Sequence, residues 1–572
     1  MDNYIKTAYE KWLASPVVDE GYKAELRAIA DDENEIKSRF VSYLSFGTAG
    51  LRGTMAAGTN RMNVYTVAHA TQGLADLILD CGAADRGVAI AYDSRINSRL
   101  FAETSAAVLV ANGIRVFLFD SLRPTPTLSF ALRYHKCIAG INITASHNPS
   151  EYNGYKAYWE DGAQLPPEHA DTVSAEMEAL DIFADVKLAD FDKALADGLI
   201  IMLGAETDEK YLAQVVAQAV NPDAVKAVAD DLAIVYTPLH GTGHKLVPEV
   251  MKRIGLKNLY TVPEQMIIDG NFPTVPKPNP EYPQVFELGI EIANRVGSDL
   301  IVATDPDADR VGVMTRTADG SFMTITGNQM GALLLDYILT AYEETGSMPD
   351  HPYAVKTIVS TELAAAICAA HNVTMHNVLT GFKFIGEVIK NYEAKGYGSF
   401  ILGFEESYGY LKGTYARDKD AVVASMLICE MTAYYKAKNM TLGDALQGLY
   451  ARYGYCYETN VEIYMEGLDG AARMAAMMDT LRNDPPATFG DVPVELFGDY
   501  KTETFTELAT GKKTPTGLPK SNVLYFKLVN GDVIVVRPSG TEPKIKFYFL
   551  LLGKDKDEVL GKLDGYKKTL NA

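Results

Sequence analysis

Short apolar runs alternate with amphipathic stretches along most of the chain, the pattern of βαβ units and a mostly parallel sheet. Before Phe46 the period is helical: Tyr4, Ala8, Trp12 and Leu26 recur among Lys6, Glu10, Lys11, Glu25 and Arg27, so residues 1–45 read as helix. Further on, three apolar runs end abruptly in dense polar loops. Ala139–Thr144 leads into Ala145-Ser146-His147-Asn148-Pro149, Ser298–Thr304 into Asp305-Pro306-Asp307-Ala308-Asp309-Arg310, and Ser399–Leu402 into Gly403-Phe404-Glu405-Glu406-Ser407-Tyr408-Gly409. Each follows another predicted strand about 45–70 residues earlier: Val88–Tyr92, Leu232–Tyr236 and Ala354–Val359. The fold class expected is therefore α/β, three tandem units of similar plan with mixed sheets. From about residue 451 the pattern changes: Tyr455–Tyr464, Asn522–Leu528, Asp532–Val536 and Ile545–Leu551 read as strands and Lys556–Leu570 as a last helix, a smaller α+β domain. The expected spans are 1–205, 206–318, 319–450 and 451–572. In open α/β sheets, ligands bind beyond the carboxyl ends of strands, so three such loops facing one cleft would make a composite site.

Composition narrows the class. Of the 572 residues 47% are apolar and 22% charged, which excludes disorder as the dominant state and a rod of coiled coil or collagen. The balance of 53 basic and 74 acidic residues, formally −21, argues against nucleic acid or an anionic membrane as partner. Five widely spaced cysteines without a CxxC point to reduced thiols rather than disulfides or zinc. Met1-Asp2-Asn3-Tyr4-Ile5-Lys6 carries no apolar signal region and no apolar run is long enough to span a membrane, so a cytoplasmic protein is expected.

Three loops carry chemistry of their own. Ser146, beside His147 and before the turn-forming Asn148-Pro149, reads either as an exposed nucleophile or phosphoryl carrier or as a solvated turn. It lacks a GxSxG elbow, so acyl transfer is not supported. Asp305, Asp307 and Asp309 crowd three carboxylates into five residues, and alternation would set them on one side of an extended segment. Such density calls for a cation or for full solvation, and all-oxygen ligands favour Mg²⁺. Arg537-Pro538-Ser539-Gly540-Thr541-Glu542-Pro543-Lys544 offers two cations, two hydroxyls and a glycine turn, a phosphate cradle or a polar hairpin; no Walker A pattern is present. Weaker signals are Glu405, Glu406 and Ser407, suited to sugar hydroxyls, and the glycine-rich Phe46–Gly53 segment carrying Arg52. His240 and His244 could pair on a metal, but Gly241 and Gly243 favour a tight turn. A serine, a hard-metal triad, a polyol-binding loop and a phosphate loop together point to phosphoryl chemistry on a sugar phosphate.

These four motifs, in this order over nearly the whole length, resemble the α-D-phosphohexomutase superfamily and within it the phosphoglucomutases. The resemblance implies four domains in a heart shape around a central cleft. It also implies interconversion of glucose 1-phosphate and glucose 6-phosphate, with glucose 1,6-bisphosphate as intermediate and activator and Mg²⁺ as cofactor. Ser146 would carry the phosphoryl group and Asp305, Asp307 and Asp309 would hold the metal together with a phosphoserine oxygen. Arg52 and Arg310 match positions near the transferring phosphate, and Lys156 matches a lysine suggested for proton transfer, with His147 adjacent as a second catalytic candidate. Thr380, Gly381, Lys383 and Lys419 match substrate contacts, Glu405 and Ser407 the sugar hydroxyls, and Arg537, Ser539, Gly540, Thr541 and Lys544 the non-transferring phosphate. Phosphopentomutase, phosphomannomutase and glucose 1,6-bisphosphate synthase share this scaffold; a sensor that binds without turnover would be expected to have lost Ser146 or an aspartate. A monomer or weak homodimer working on a small phosphosugar is expected. Two positions depart from the pattern: Tyr410 stands where many bacterial phosphomannomutases carry histidine, and Ala421 where a glycine is usual.

The acidity is unevenly placed. Residues 161–235 hold 16 acidic and 4 basic side chains and none of the motifs, reading as solvated helices, whereas residues 537–572 hold 8 basic and 5 acidic. The metal loop itself, three aspartates and Arg310, is expected to reach neutrality only with Mg²⁺.

Overall fold

The computed structural model describes residues 2–47, 50–465, 469–539 and 544–570. Its contacts gather the chain into two units, one of residues 1–324, 389–394 and 409–439, the other of residues 325–388, 395–408 and 440–572.

The first unit opens with three helices where one helical stretch was expected: α1 (Asn3–Ala14), α2 (Glu20–Ala28) and α3 (Glu33–Phe40). Asp2, Asp19 and Asp32 each accept a backbone N–H of the following turn, so each aspartate starts a new helix. Pro16 prevents α1 from running on. Trp12 of α1 meets Phe40, Tyr65 and Phe183 edge-on, which fastens this extension to the α/β domain behind it.

That domain is built on β1 (Gly50–Thr54), β2 (Val88–Tyr92), β3 (Val116–Phe119), β4 (Ala139–Ile143), β5 (Tyr152–Trp159) and β6 (Ile200–Leu203), in the order β1-β5-β4-β2-β3-β6. The pairs β4-β2-β3-β6 are parallel, whereas β5 runs antiparallel to both β4 and β1. β2 and β4 are buried along their whole length, as continuous apolar runs in a parallel sheet require. β6 corrects the expectation of helices alone across residues 161–235: Ile200-Ile201-Met202-Leu203 forms the sheet edge. Asp208 likewise departs from the solvated reading of that stretch, since it is buried against Arg123 at 2.7 Å.

The second sheet contains β7 (Ala233–Thr237), β8 (Asn258–Thr261), β9 (Leu300–Thr304), β10 (Val311–Arg316) and β11 (Phe322–Ile325), ordered β11-β10-β9-β7-β8. β7 is parallel to β8 and β9, and β10 is antiparallel to β9. Its β10-β9-β7-β8 core repeats the β5-β4-β2-β3 core of the first sheet, so the tandem plan read from the loops is a plan of strand order. In the second unit β12 (Pro352–Thr357) lies between β13 (Thr374–Val378) and β14 (Ser399–Glu405), both parallel to it, the same core again.

β15 (Gly409–Leu411) and the helix α4 (Ala421–Ala437) belong to the first unit. Every residue from Ala421 to Tyr435 is buried. A helix apolar on all sides is a core helix rather than a surface one. It packs on the helices Asp223–Ala227 and Gly243–Arg253.

The C-terminal part is a largely antiparallel sheet. β16 (Tyr455–Tyr464), β17 (Thr488–Phe489), β18 (Val492–Asp499), β19 (Thr504–Glu507), β20 (Lys513–Pro515), β21 (Leu524–Leu528), β22 (Val533–Pro538) and β23 (Lys544–Gly553) form it, in the order β16-β23-β22-β21-β18-β19-β20 with β17 on β18. The helix Lys556–Leu570 covers one face through Val559, Leu563 and Tyr566. Among the described residues no helix is long and apolar enough to cross a membrane.

Candidate active site

β4 ends at Ile143, and the chain turns so sharply that Ser146 adopts φ 51°. A non-glycine residue in the left-handed region is held there by its surroundings. The Thr144 hydroxyl accepts the N–H of Ser146 at 2.8 Å and donates to Asp93 Oδ2 at 2.6 Å. Ser146 Oγ donates to Asp305 Oδ2 at 2.7 Å and lies 3.2 Å from His147 Nδ1. The serine is therefore neither an isolated nucleophile nor a solvated turn: it is buried against the acidic loop of the next sheet.

That loop wraps around its first member. Asp305 Oδ1 accepts the N–H groups of Asp309 and Arg310 at 3.1 and 3.0 Å, and Ala308 takes φ 50° to close the turn. The three aspartates thus converge through a turn rather than through alternation along an extended segment, which corrects the reason expected from sequence. One carboxylate oxygen from each lies within 4.8 Å of the others, and all three residues are buried. Asp307 Oδ2 accepts Thr125 Oγ1 at 2.8 Å and Lys156 Nζ at 2.7 Å, while Asp307 Oδ1 and Asp309 Oδ1 are buried without a hydrogen-bond partner. Buried carboxylate oxygens lacking a donor, in an all-oxygen cluster, fit a hard divalent cation.

Cations close the site. Lys156, on β5, also approaches Asp309 at 3.3 Å, and Lys419 Nζ lies 3.2 Å from Asp309 Oδ2 and 3.1 Å from Asp418. Arg310 donates to Glu281 at 2.7 Å, and Arg52 reaches Asn148 of the serine loop at 3.3 Å. Two lysines therefore share the charge of the triad, and neutrality does not depend on Arg310 and a metal alone, as the sequence suggested. Burial pushes the Asp305 carboxyl well above the usual range, and Asp307 and Asp309 add to it. Burial would raise Asp307 too, but Lys156 holds it below the ordinary value. Burial would lower Lys156, but Asp307 and Asp309 outweigh it and keep the ammonium charged. Burial, then the nearby Arg310, holds His147 well below its ordinary value, so its imidazole is neutral at pH 7 and able to accept a proton.

Thr380, Gly381, Lys383, Glu405 and Ser407 lie in the second unit. There the Gly381 N–H donates to Glu405 Oε1 at 2.9 Å, joining the 380 turn to the end of β14. Lys383 Nζ lies over the Phe384 ring at 5.3 Å. Arg537 is the penultimate residue of β22, Ser539 N–H donates to the Lys544 carbonyl at 2.8 Å, and Lys544 Nζ donates to Glu462 at 3.1 Å. Gly540 and Thr541 lie outside the described residues.

Family models match three consecutive stretches: phosphoglucomutase/phosphomannomutase alpha/beta/alpha domain I over residues 43–182, domain II over 209–320 and domain III over 326–453. The chain belongs to the phosphoglucomutase/phosphomannomutase family. It is 36% identical to a protein named phosphoglucomutase from Staphylococcus saprophyticus over 92% of this chain and 94% of that one. Two solved structures share the fold. Parafusin, a phosphoglucomutase from Paramecium in an open form, aligns at TM-score 0.67 and 18% identity over 91% of this chain and 94% of that one. N-acetylphosphoglucosamine mutase of Aspergillus fumigatus, solved with GlcNAc-6P and magnesium, aligns at TM-score 0.51 and 12% identity over 100% and 99%.

In this phosphoglucomutase/phosphomannomutase chain the first unit brings together Ser146, His147, Arg52, Lys156, the three aspartates, Arg310 and Lys419. Sequence reasoning passed over Thr125, Asp93 and Arg95. The first carries a hydroxyl onto Asp307, with Asn142 of β4 donating to that hydroxyl at 2.7 Å. Asp93-Ser94-Arg95 marks the end of β2, and a polar triplet ending a buried strand was the available signal. His240 is structural, its ring nitrogens meeting the Ile267 carbonyl at 2.8 Å and Thr274 Oγ1 at 2.9 Å. Its neighbour Gly241 is needed: a Cβ there would lie 2.4 Å from Pro306 Cα in the acidic loop. Tyr410 is buried in β15, and Ala421 is the first residue of α4, a position where glycine is not required.

Proposed function

We propose that the chain is a phosphoglucomutase that interconverts glucose 1-phosphate and glucose 6-phosphate through a phosphoserine at Ser146. The observation that carries this reading is the Ser146 hydroxyl 2.7 Å from an aspartate of the buried triad, beside a neutral imidazole, in a chain with curated phosphoglucomutase relatives. Phosphorylated Ser146 donates its phosphoryl group to the 6-hydroxyl of glucose 1-phosphate, giving glucose 1,6-bisphosphate. The bisphosphate turns over and returns its 1-phosphoryl group to Ser146, leaving glucose 6-phosphate. Asp305, Asp307 and Asp309 hold Mg²⁺, which when bound offsets charge on the transferring phosphoryl group. Supporting that choice are the orphaned oxygens of Asp307 and Asp309.

His147 and Lys156 are the groups placed to move the hydroxyl proton, the neutral imidazole as acceptor and the charged ammonium as donor. Arg52, Arg310 and Lys419 face the transferring phosphoryl group. Glu405 and Ser407 read the sugar hydroxyls, with Thr380, Gly381 and Lys383 beside them. Arg537, Ser539, Gly540, Thr541 and Lys544 hold the other phosphate. The enzyme acts on a small phosphosugar in the cytoplasm, as a monomer or weak homodimer.

Peptide mass spectrometry of the purified protein, paired with a coupled turnover assay, tests this. A phosphate is expected on the Ser146 peptide, and Ser146→Ala is expected to lose it together with turnover, by about a thousandfold or more. Full turnover in Ser146→Ala would sink the mechanism.

A further inference from the structure

Arg95, three residues beyond the end of β2, grips the serine loop through its guanidinium. Its guanidinium is buried. Nη1 donates to the carbonyls of Pro149 and Tyr152 at 2.8 and 3.0 Å, and Nη2 donates to the carbonyls of Ser146 and Asn148. Nε lies 3.3 Å from Asp93 Oδ2. Asp93 in turn accepts the hydroxyls of Thr144 and Ser98, at 2.6 and 2.8 Å, and the Arg95 N–H at 2.9 Å. The serine loop thus hangs on one planar cation from its carbonyl side and on one carboxylate, through Thr144, from its N–H side.

The same guanidinium reaches the neighbouring domain. It lies 5.1 Å from the centroid of the Phe272 ring, in the segment between β8 and β9. That segment presses closely on the Arg95 turn: a Cβ on Gly270 would lie 2.5 Å from Ile96 N and 2.8 Å from the Ser94 carbonyl. Arg95 therefore touches both the loop that carries Ser146 and the domain that carries the three aspartates, without touching the Ser146 hydroxyl.

We infer that Arg95, locked by Asp93, is the positioning residue that holds Ser146 in its left-handed conformation and in line with the acidic loop. It sets the geometry of phosphoryl transfer rather than the recognition of the sugar. This rests on the reading of Ser146 as phosphoryl carrier. A lysine cannot replace the arginine here, because one ammonium cannot donate along four fixed directions. A displacement of about 1 Å at a reacting group costs on the order of a hundredfold in rate.

The test uses the full-length protein, assayed for turnover of glucose 1-phosphate and for phosphate on the Ser146 peptide. Arg95→Lys is expected to lower kcat by about a hundredfold while KM changes by less than about threefold. In Arg95→Ala, guanidinium chloride at tens of millimolar is expected to restore part of kcat, which ammonium chloride at the same concentration does not. A structural role alone would give neither the kcat–KM split nor the selective rescue. Should the arginine variants fail to fold, Thr144→Val removes only the link between Asp93 and the Ser146 N–H, and the same fall in kcat at unchanged KM is expected. If Arg95→Lys, or Thr144→Val in its place, kept kcat within about threefold, or lost KM instead, the inference would be overturned while a phosphorylated wild-type Ser146 left the mutase reading standing. No phosphate on wild-type Ser146 would overturn both.

Discussion

Replacing Asp305 by asparagine should change stability in opposite directions with and without Mg²⁺. The triad oxygens lie within 4.8 Å of one another. At an effective dielectric constant near 20, two unit charges at that distance repel by about 3.5 kcal/mol, so two neighbours give about 7 kcal/mol gross. Lys156 and Lys419 contact Asp307 and Asp309. Asp305 accepts hydrogen bonds from neutral donors, the N–H groups of Asp309 and Arg310 and the Ser146 hydroxyl. Protonation and relaxation remove most of the repulsion, leaving about 1–3 kcal/mol, the range of ordinary single substitutions. Asparagine keeps an oxygen for the two N–H groups and loses the charge. In chelator, Asp305→Asn should therefore melt higher than wild type, by on the order of 2 °C. With Mg²⁺ at a hundred times its dissociation constant the wild type gains about 2.7 kcal/mol, and the variant, short of one anionic ligand, gains far less. Thermal melts in EDTA and across a Mg²⁺ titration would show the two curves cross. A variant that melts lower than wild type in EDTA, or that Mg²⁺ stabilises equally, would refute both the repulsion argument and the triad as a metal site.

Two further outcomes follow from the geometry. Burial raises the Glu458 carboxyl from 4.5 to about 7, against the opposing Thr361 hydrogen bond and Lys356. A folded value above the unfolded one means a contribution fully present below about pH 4.5 and lost as pH rises through about 7, on the order of 1–3 kcal/mol. Wild type minus Glu458→Gln in denaturant melts at pH 5 and pH 8 should show that slope, and parallel curves would refute it. At Gly154 of β5, an added Cβ would lie 2.5 Å from the Thr144 carbonyl and 2.9 Å from that of Leu51. Gly154→Ala should cost about 1–3 kcal/mol and lower turnover through Thr144, and a wild-type melting temperature would contradict the close packing.

Much of this was legible along the chain because buried parallel strands are apolar throughout and end abruptly. Val88–Tyr92 appears with the bounds expected, as does the antiparallel, partly buried Tyr455–Tyr464, whereas β14 runs on to Glu405, three residues into the polar loop expected after Leu402. β5 was missed because Tyr152-Asn153-Gly154 looks like loop, and although β4 lies close in sequence, its other partner, β1, lies about a hundred positions away. β19 and β20 are short and carry little apolar signal. In the first unit, residue types announced the serine and the aspartates that meet there. The partners announced themselves less: Arg95 left only the polar triplet at the end of β2, and Thr125, whose hydroxyl reaches Asp307 182 positions away, left no spacing to read.

The helix α4 has a consequence for how this chain could be divided. The third family segment, residues 326–453, includes a helix whose buried surface is fitted to helices of the second segment. The stretch the family model delimits and the stretch that packs together are therefore not the same piece. A chimera that exchanged the third repeat between relatives at its sequence boundaries would bring α4 into a foreign socket, and a fragment ending at residue 324 would leave that socket bare. The compact unit is discontinuous, residues 1–324 with 389–394 and 409–439, so relatives could trade either unit whole only by splicing at several points at once.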